Sequence, residues 1–203
     1  MKKMNLRSFL TLLAAMLFLS TGGQLTAQTL KFNAAKSKFL IKGDSNLHPW
    51  ETDVNEVPGE ATIDAEAKAL KSLTISIPVN SIHSKEGGDM MDTKTYETFN
   101  YKKNPDIVFT LTEVKSLTIN SDKSISATVA GNLSMGGSTK PVTVSAVGKS
   151  DGAGSYVFTG SLPLKLTTFG MKPPTMFLGT LKVKDEISVE YTITVDGINS
   201  SAL

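Results

Sequence analysis

From Leu30 onward the apolar positions recur every second residue, the pattern of a strand with one buried and one wet face. Leu73, Ile75, Ile77 and Val79 fall on one side, with Ser72, Thr74 and Ser76 on the other. Ile125, Ala127, Val129, Gly131, Leu133 and Met135 alternate in the same way with Ser124, Ser126, Thr128, Asn132 and Ser134. Further runs are Val142-Val144-Ala146, Phe158-Gly160-Leu162-Leu164-Leu166 and Ile187-Val189-Tyr191-Ile193-Val195. Weaker alternation covers Phe39-Ile41, Val57 to Ile63 and Ile107 to Thr118, so the pattern predicts eight strands, nine with Leu30-Phe32.

Asn120-Ser121-Asp122, Gly136-Gly137-Ser138 and Asp151-Gly152-Ala153-Gly154 are short turn signals that join antiparallel neighbours. No helical pattern alternates with the strands, which disfavours a parallel α/β sheet. One short amphipathic helix is predicted from Asp89 to Asn100, after Gly87-Gly88 and before Asn104-Pro105. A meander of this size either packs as two sheets or closes, and closure removes the edges that template aggregation. The expected fold is therefore all-β: a closed, antiparallel, eight-stranded up-and-down barrel with one short helix. Its inward faces carry the small residues Ala61, Ala127, Gly131, Ala146, Gly148 and Gly160. These are compatible with a ligand cavity, and equally with bends and bulges in a filled interior.

The N-terminus breaks the pattern. Lys2, Lys3 and Arg7 precede an apolar run from Phe9 to Leu19 and a small-residue stretch ending at Ala27, the layout of a secretory signal peptide. The run is short of the roughly 20 residues that span a bilayer. Residues 1–27 are read as a cleaved signal and residues 28–203 as one domain, located in the periplasm or secreted, without a stable membrane span. The chain has 21 Lys+Arg against 19 Asp+Glu, and the signal removes three of the cations. A near-neutral domain without a basic run lacks the electrostatic footprint for nucleic acid. The absence of cysteine excludes thiol catalysis and disulfides.

Catalytic motifs are missing: there is no Gly-x-Ser-x-Gly elbow, His-Glu-x-x-His or phosphate-binding glycine loop. The only histidines, His48 and His83, lack paired ligand spacing, so no metal site is expected. Asp89 and Asp92 read as carboxylates complementing a helix dipole. Three stretches are richer than strands require. Lys42 to Glu51 holds the single tryptophan, Trp50. Met90 to Tyr101 carries Met and aromatic side chains suited either to an adaptable lipid-facing wall or to a plug. Leu164 to Gly179 contains Pro173-Pro174, which cannot continue a ladder, among Phe169, Met171, Met176, Phe177 and Leu178. So apolar a connection is expected to bury itself as a cap or at an opening.

At these stretches the chain resembles the YceI-like family of secreted lipid-binding proteins. The likeness rests on Ser37-Lys38-Phe39, Leu47-His48-Pro49-Trp50-Glu51, Met91 to Phe99 and Asn104-Pro105-Asp106-Ile107-Val108-Phe109. It continues through Gly131-Asn132-Leu133, Thr139-Lys140-Pro141-Val142-Thr143 and Phe169-Gly170-Met171-Lys172-Pro173-Pro174. The resemblance implies an extended antiparallel, lipocalin-like barrel around a long apolar channel for an isoprenoid or similar amphiphile. The expected function is a non-catalytic carrier of a polyisoprenoid or other long-chain lipid, with no cofactor beyond a bound isoprenoid or isoprenoid quinone. A homodimer is compatible with this reading. The expected channel wall is Phe99, Ile107, Phe109, Leu133, Phe158, Leu164, Phe169, Met176 and Phe177. The expected head-group mouth is His48, Trp50, Lys165, Thr168 and Lys172. Two rivals are a quinone-linked enzyme or electron-transfer accessory using His48, and a structural envelope protein with a solid barrel.

Overall fold

The computed structural model describes residues 27–64 and 67–198. The signal segment expected at residues 1–27 lies, but for Ala27, outside the described residues. The first strands are β1 (Ala27–Lys31), β2 (Lys38–Ser45), β3 (Trp50–Val54), β4 (Gly59–Asp64), β5 (Ala69–Pro78) and β6 (Ile82–Ser84). Helix α1 (Gly88–Phe99) follows. The chain continues as β7 (Asp106–Ile119), β8 (Ile125–Met135), β9 (Ser138–Ser150), β10 (Ser155–Lys165), β11 (Thr175–Met176) and β12 (Leu181–Asp196). The strands pair in the order β1-β4-β5-β7-β8-β9-β10-β12-β2-β3-β6, with β11 added to β12. Every pairing is antiparallel.

The fold is thus all-β with one helix, but the eight-strand closed ring needs correction. Among the described residues there are twelve strands, and the ladder runs from a free β1 to a free β6 without returning on itself. The additional strands are the short β3, β6 and β11, and two prolines bound the first two of them. Pro58 separates β3 from β4, and Pro78 ends β5 ahead of a 3-10 turn, Val79–Ser81. Proline brings no N–H to a ladder, so β4 starts only after Pro58 and β5 ends at Pro78, each at a bend. The bends are joined where the Asn55 N–H donates to the Ser81 carbonyl (3.1 Å), and Val57 and Val79 are fully buried there. At the other end the chain just past β1 meets β12 at the bridge Phe32–Val195, through the Asn33 N–H donated to Thr194 O (2.8 Å) and through the Asn33 carboxamide donated to Asp196 (2.7 Å), without a continuous ladder. The result is a strongly curled, open antiparallel sheet.

Most turns lie where expected. Gly136 and Gly137 form a two-residue hairpin with φ of 59° and 85°, the left-handed pair that matches strand twist. β7 alternates weakly because it carries two register shifts, near Leu111 and Ser116. α1 ends when Asn100 turns left-handed (φ 50°) and its N–H bonds to the Glu97 carbonyl (3.0 Å). Asp92 does not serve the helix dipole. Its carboxylate accepts from the Ser84 N–H (2.7 Å) and lies 2.8 Å from His83 Nδ1, fixing α1 to β6. One end of the curled sheet is filled by a cluster including Val79, Phe99, Met135, Leu166, Phe169 and Met171.

Candidate functional site

Successive inward residues of every strand on the ladder, from Leu30 in β1 to Ile82 in β6, border one cavity of about 320 Å³. That is the lower end of the range of small-molecule sites, about 300–1,000 Å³. Its walls are Ile, Leu, Val, Phe and Ala. The lining polar side chains are Gln28, Asp64 and Lys68, together with the Tyr191 hydroxyl. Leu73, Ile75, Ile107, Val144, Leu162 and Val189 line it while only half-buried, so their accessible faces look inward.

The small inward residues divide into two groups. Ala61, Ala127 and Ala146 border the open space. The glycines are covered by aromatic rings: a Cβ on Gly131 would overlap Phe109, one on Gly148 would overlap Phe158, and one on Gly160 would overlap Tyr191. Phe109, Phe158 and Tyr191 therefore lie flat along the wall and leave the centre free. The Tyr191 hydroxyl donates to the Ser145 carbonyl (2.6 Å), and burial pushes its ionisation up to about 12. It stays neutral in the wall.

The polar groups gather at one end. Gln28 opens β1, Asp64 ends β4 and Lys68 precedes β5. Gln28 and Lys68 are exposed, so the lining reaches solvent there. Lys68, Leu117 and Ile119 continue into a polar recess with Asn120, Ser121 and Lys123. Asp64 is buried beside the Lys71 ammonium (3.5 Å).

Of the expected wall, Ile107, Phe109, Leu133, Phe158 and Leu164 border the cavity. Phe99 and Phe169 do not; they are buried in the cluster that stops the end opposite the polar groups. Met176 is buried outside the cavity, and Phe177 is 63% exposed. None of the residues of the expected mouth borders the cavity. His48 is exposed, with Nδ1 2.7 Å from the Pro49 carbonyl. Trp50 lies over Gly43 and donates its indole N–H to Asp44 O (3.2 Å). Lys165 pairs with Glu186 (2.9 Å), and Thr168 and Lys172 are exposed. Trp50 and Lys165 lie on the ladder strands β3 and β10, and the Pro174 carbonyl accepts from the Val183 N–H (3.1 Å), which keeps the Pro173-Pro174 connection against β12.

The expected wall left out Phe32, Phe39, Ile41, Ile63, Tyr191 and Val195, and the polar end was not expected. The signal for the wall was present in the alternation of β5, β8, β10 and β12, whose inward faces are those expected. Among the described residues no three His, Cys, Asp or Glu side chains converge, and no helix is long and apolar enough to cross a membrane.

Comparison with known proteins follows the same lines. The YceI-like domain matches residues 30–195. A UPF0312 protein of Pseudomonas aeruginosa is 34% identical over 149 residues, 71% of each chain. One of Pectobacterium carotovorum is 29% identical, over 95% of this chain and 98% of its own. Among solved structures, a polyisoprenoid binding domain from Saccharophagus degradans superposes with a TM-score of 0.65 at 11% identity, covering 83% of this chain and 98% of that one. Burkholderia cenocepacia BcnA gives 0.63 at 21% identity, covering 80% and 98%. With the domain match spanning β1 to β12 and the fold shared, the chain belongs to the YceI-like domain family.

Proposed function

We propose that this protein binds the apolar tail of a long-chain amphiphile, in the class of polyisoprenoids, and carries or stores it without chemical change. The observation that carries the reading is the continuous apolar lining contributed by all eleven strands of the ladder. At roughly 25 cal/mol per Å² of apolar area, a tail burying about 350 Å² gains about 9 kcal/mol before association costs. No charged group is needed for that. The tail enters from the end of Gln28, Asp64 and Lys68, where the head group stays wet. The polyisoprenoid class is suggested by the Saccharophagus domain of like fold. Residues 1–27 act as a cleaved signal, and the mature domain works in the periplasm or outside the cell.

A solidly packed barrel, the structural rival, would leave no such cavity. His48, the proton-handling group of the quinone-linked rival, does not border the lining, which favours the carrier reading. Ala127 and Ala146 face each other across β8 and β9 on the cavity wall. Ala127→Trp or Ala146→Phe fills the space and should abolish uptake of a fluorescent isoprenoid while the far-ultraviolet spectrum is kept. Undiminished uptake in both variants would refute binding at this cavity.

A further inference from the structure

Three of the five large apolar side chains that are exposed among the described residues lie on two neighbouring turns. Leu47, on the β2–β3 turn, is 60% exposed; Phe177 and Leu178, between β11 and β12, are 63% and 109% exposed. Asn46 ties the turns together. Its N–H donates to the Lys182 carbonyl (3.0 Å), its carboxamide donates to the Thr180 carbonyl (2.8 Å) and accepts from the Lys182 N–H (2.7 Å).

Phe177 and Leu178 have φ of 49° and 56°, a left-handed region that bulky residues enter only at a penalty. Local backbone preference and the hydrophobic effect both oppose this conformation, which nevertheless holds two apolar side chains out into water. An outlier of that kind points to a task. Cations lie nearby. Lys182 pairs with Thr175 at the base of the turn, and Lys172 precedes it in the same connection. Both are exposed, and neither ammonium makes an ion pair among the described residues, whereas Lys165 and Lys184 are paired with Glu186 and Asp44.

We infer that this corner docks the protein onto an anionic phospholipid bilayer. Phe177, Leu178 and Leu47 enter the interfacial layer, and Lys172 and Lys182 meet lipid phosphates. A projecting tip suits a soft, deep medium better than a protein face, since a stable interface buries about 800 Å² on each partner. The inference is independent of what the cavity holds.

The test is co-sedimentation of the full chain with phosphatidylcholine vesicles, with and without phosphatidylglycerol. Binding should favour the anionic vesicles and weaken with added salt. Leu178→Asp should lower the affinity at least about tenfold, the scale of losing one buried Leu. Lys172→Glu with Lys182→Glu should remove the preference for phosphatidylglycerol. Leu178→Gly relieves the left-handed backbone, so it should melt at a higher temperature while binding vesicles more weakly, a combination misfolding cannot produce. The inference is overturned if the wild type ignores anionic vesicles at low salt, or if Leu178→Asp binds as the wild type does. It is also overturned if the wild type is a dimer that Leu178→Asp dissociates, which would assign the tip to a second copy.

Discussion

Gly131, Gly148 and Gly160 set the width of the cavity by letting aromatic rings lie along the wall. At Gly131 a methyl group would meet the Phe109 ring and also the Thr110 carbonyl. The ring can turn, but the carbonyl belongs to the ladder. Gly131→Ala is expected to destabilise by about 1–3 kcal/mol, the usual effect of overpacking, read as a lower urea midpoint. Tyr191 offers a second check at this scale. Phenylalanine keeps the ring over Gly160 but leaves the Ser145 carbonyl unpaired, so Tyr191→Phe should lose about 1 kcal/mol at neutral pH. Because folding raises its ionisation to about 12, the stability Tyr191 gives is complete below pH 10 and declines as pH rises from 10 towards 12. Urea melts at pH 8 and pH 11 should show the difference between wild type and variant shrinking at the higher pH.

Elements are joined by exposed carboxylates at their ends. The Asp151 carboxylate accepts from the N–H groups of Ala153 (2.8 Å) and Ser155 (3.0 Å), closing the β9–β10 turn. Asp122 does the same for β7–β8 through the Ser124 hydroxyl and N–H, and Asp185 holds the 3-10 turn after β10 through Thr167. These hydrogen bonds hold all three carboxyls below the ordinary 3.8. A depressed carboxyl stabilises above its unfolded value and loses that contribution as pH falls through the folded one. Stability should therefore drop on acidification below about pH 3.8. Asp151→Asn should melt earlier than wild type at pH 7, with the gap closing as the pH falls below that window. The hairpins themselves were legible because Gly136-Gly137 and Asp151-Gly152 mark turns by local chemistry. The Leu164 to Gly179 connection was legible only in part. Leu166, Phe169, Met171 and Met176 bury themselves as an apolar segment should, but Phe177 and Leu178 do not. Which members of an apolar loop turn inward depends on backbone angles that composition does not reveal.

At the scale of the whole molecule, the inward faces of β5, β8, β10 and β12 could be read from alternation because a slip of one residue would expose every apolar side chain. Strand number and closure could not, since β3, β6 and β11 are too short to show an alternating run. The polar end was hidden for another reason. Asp64 and Lys68 share the β4–β5 connection, but Gln28 is distant in sequence, and only the β1–β4 register brings it beside them. The expected mouth was drawn to His48, Lys165, Thr168 and Lys172 by groups able to meet a phosphate or quinone oxygen, and none of these borders the cavity, whose other end Phe99 and Phe169 stop. Everything functional follows from the hollow between these ends. The most direct test is native mass spectrometry of the protein purified from a bacterial host, with organic extraction of whatever dissociates. The account predicts an adduct that is released into organic solvent and identified as a long-chain lipid, and that is lost in Ala127→Trp. A protein observed only at its bare polypeptide mass, and taking up no isoprenoid when offered one, would contradict it.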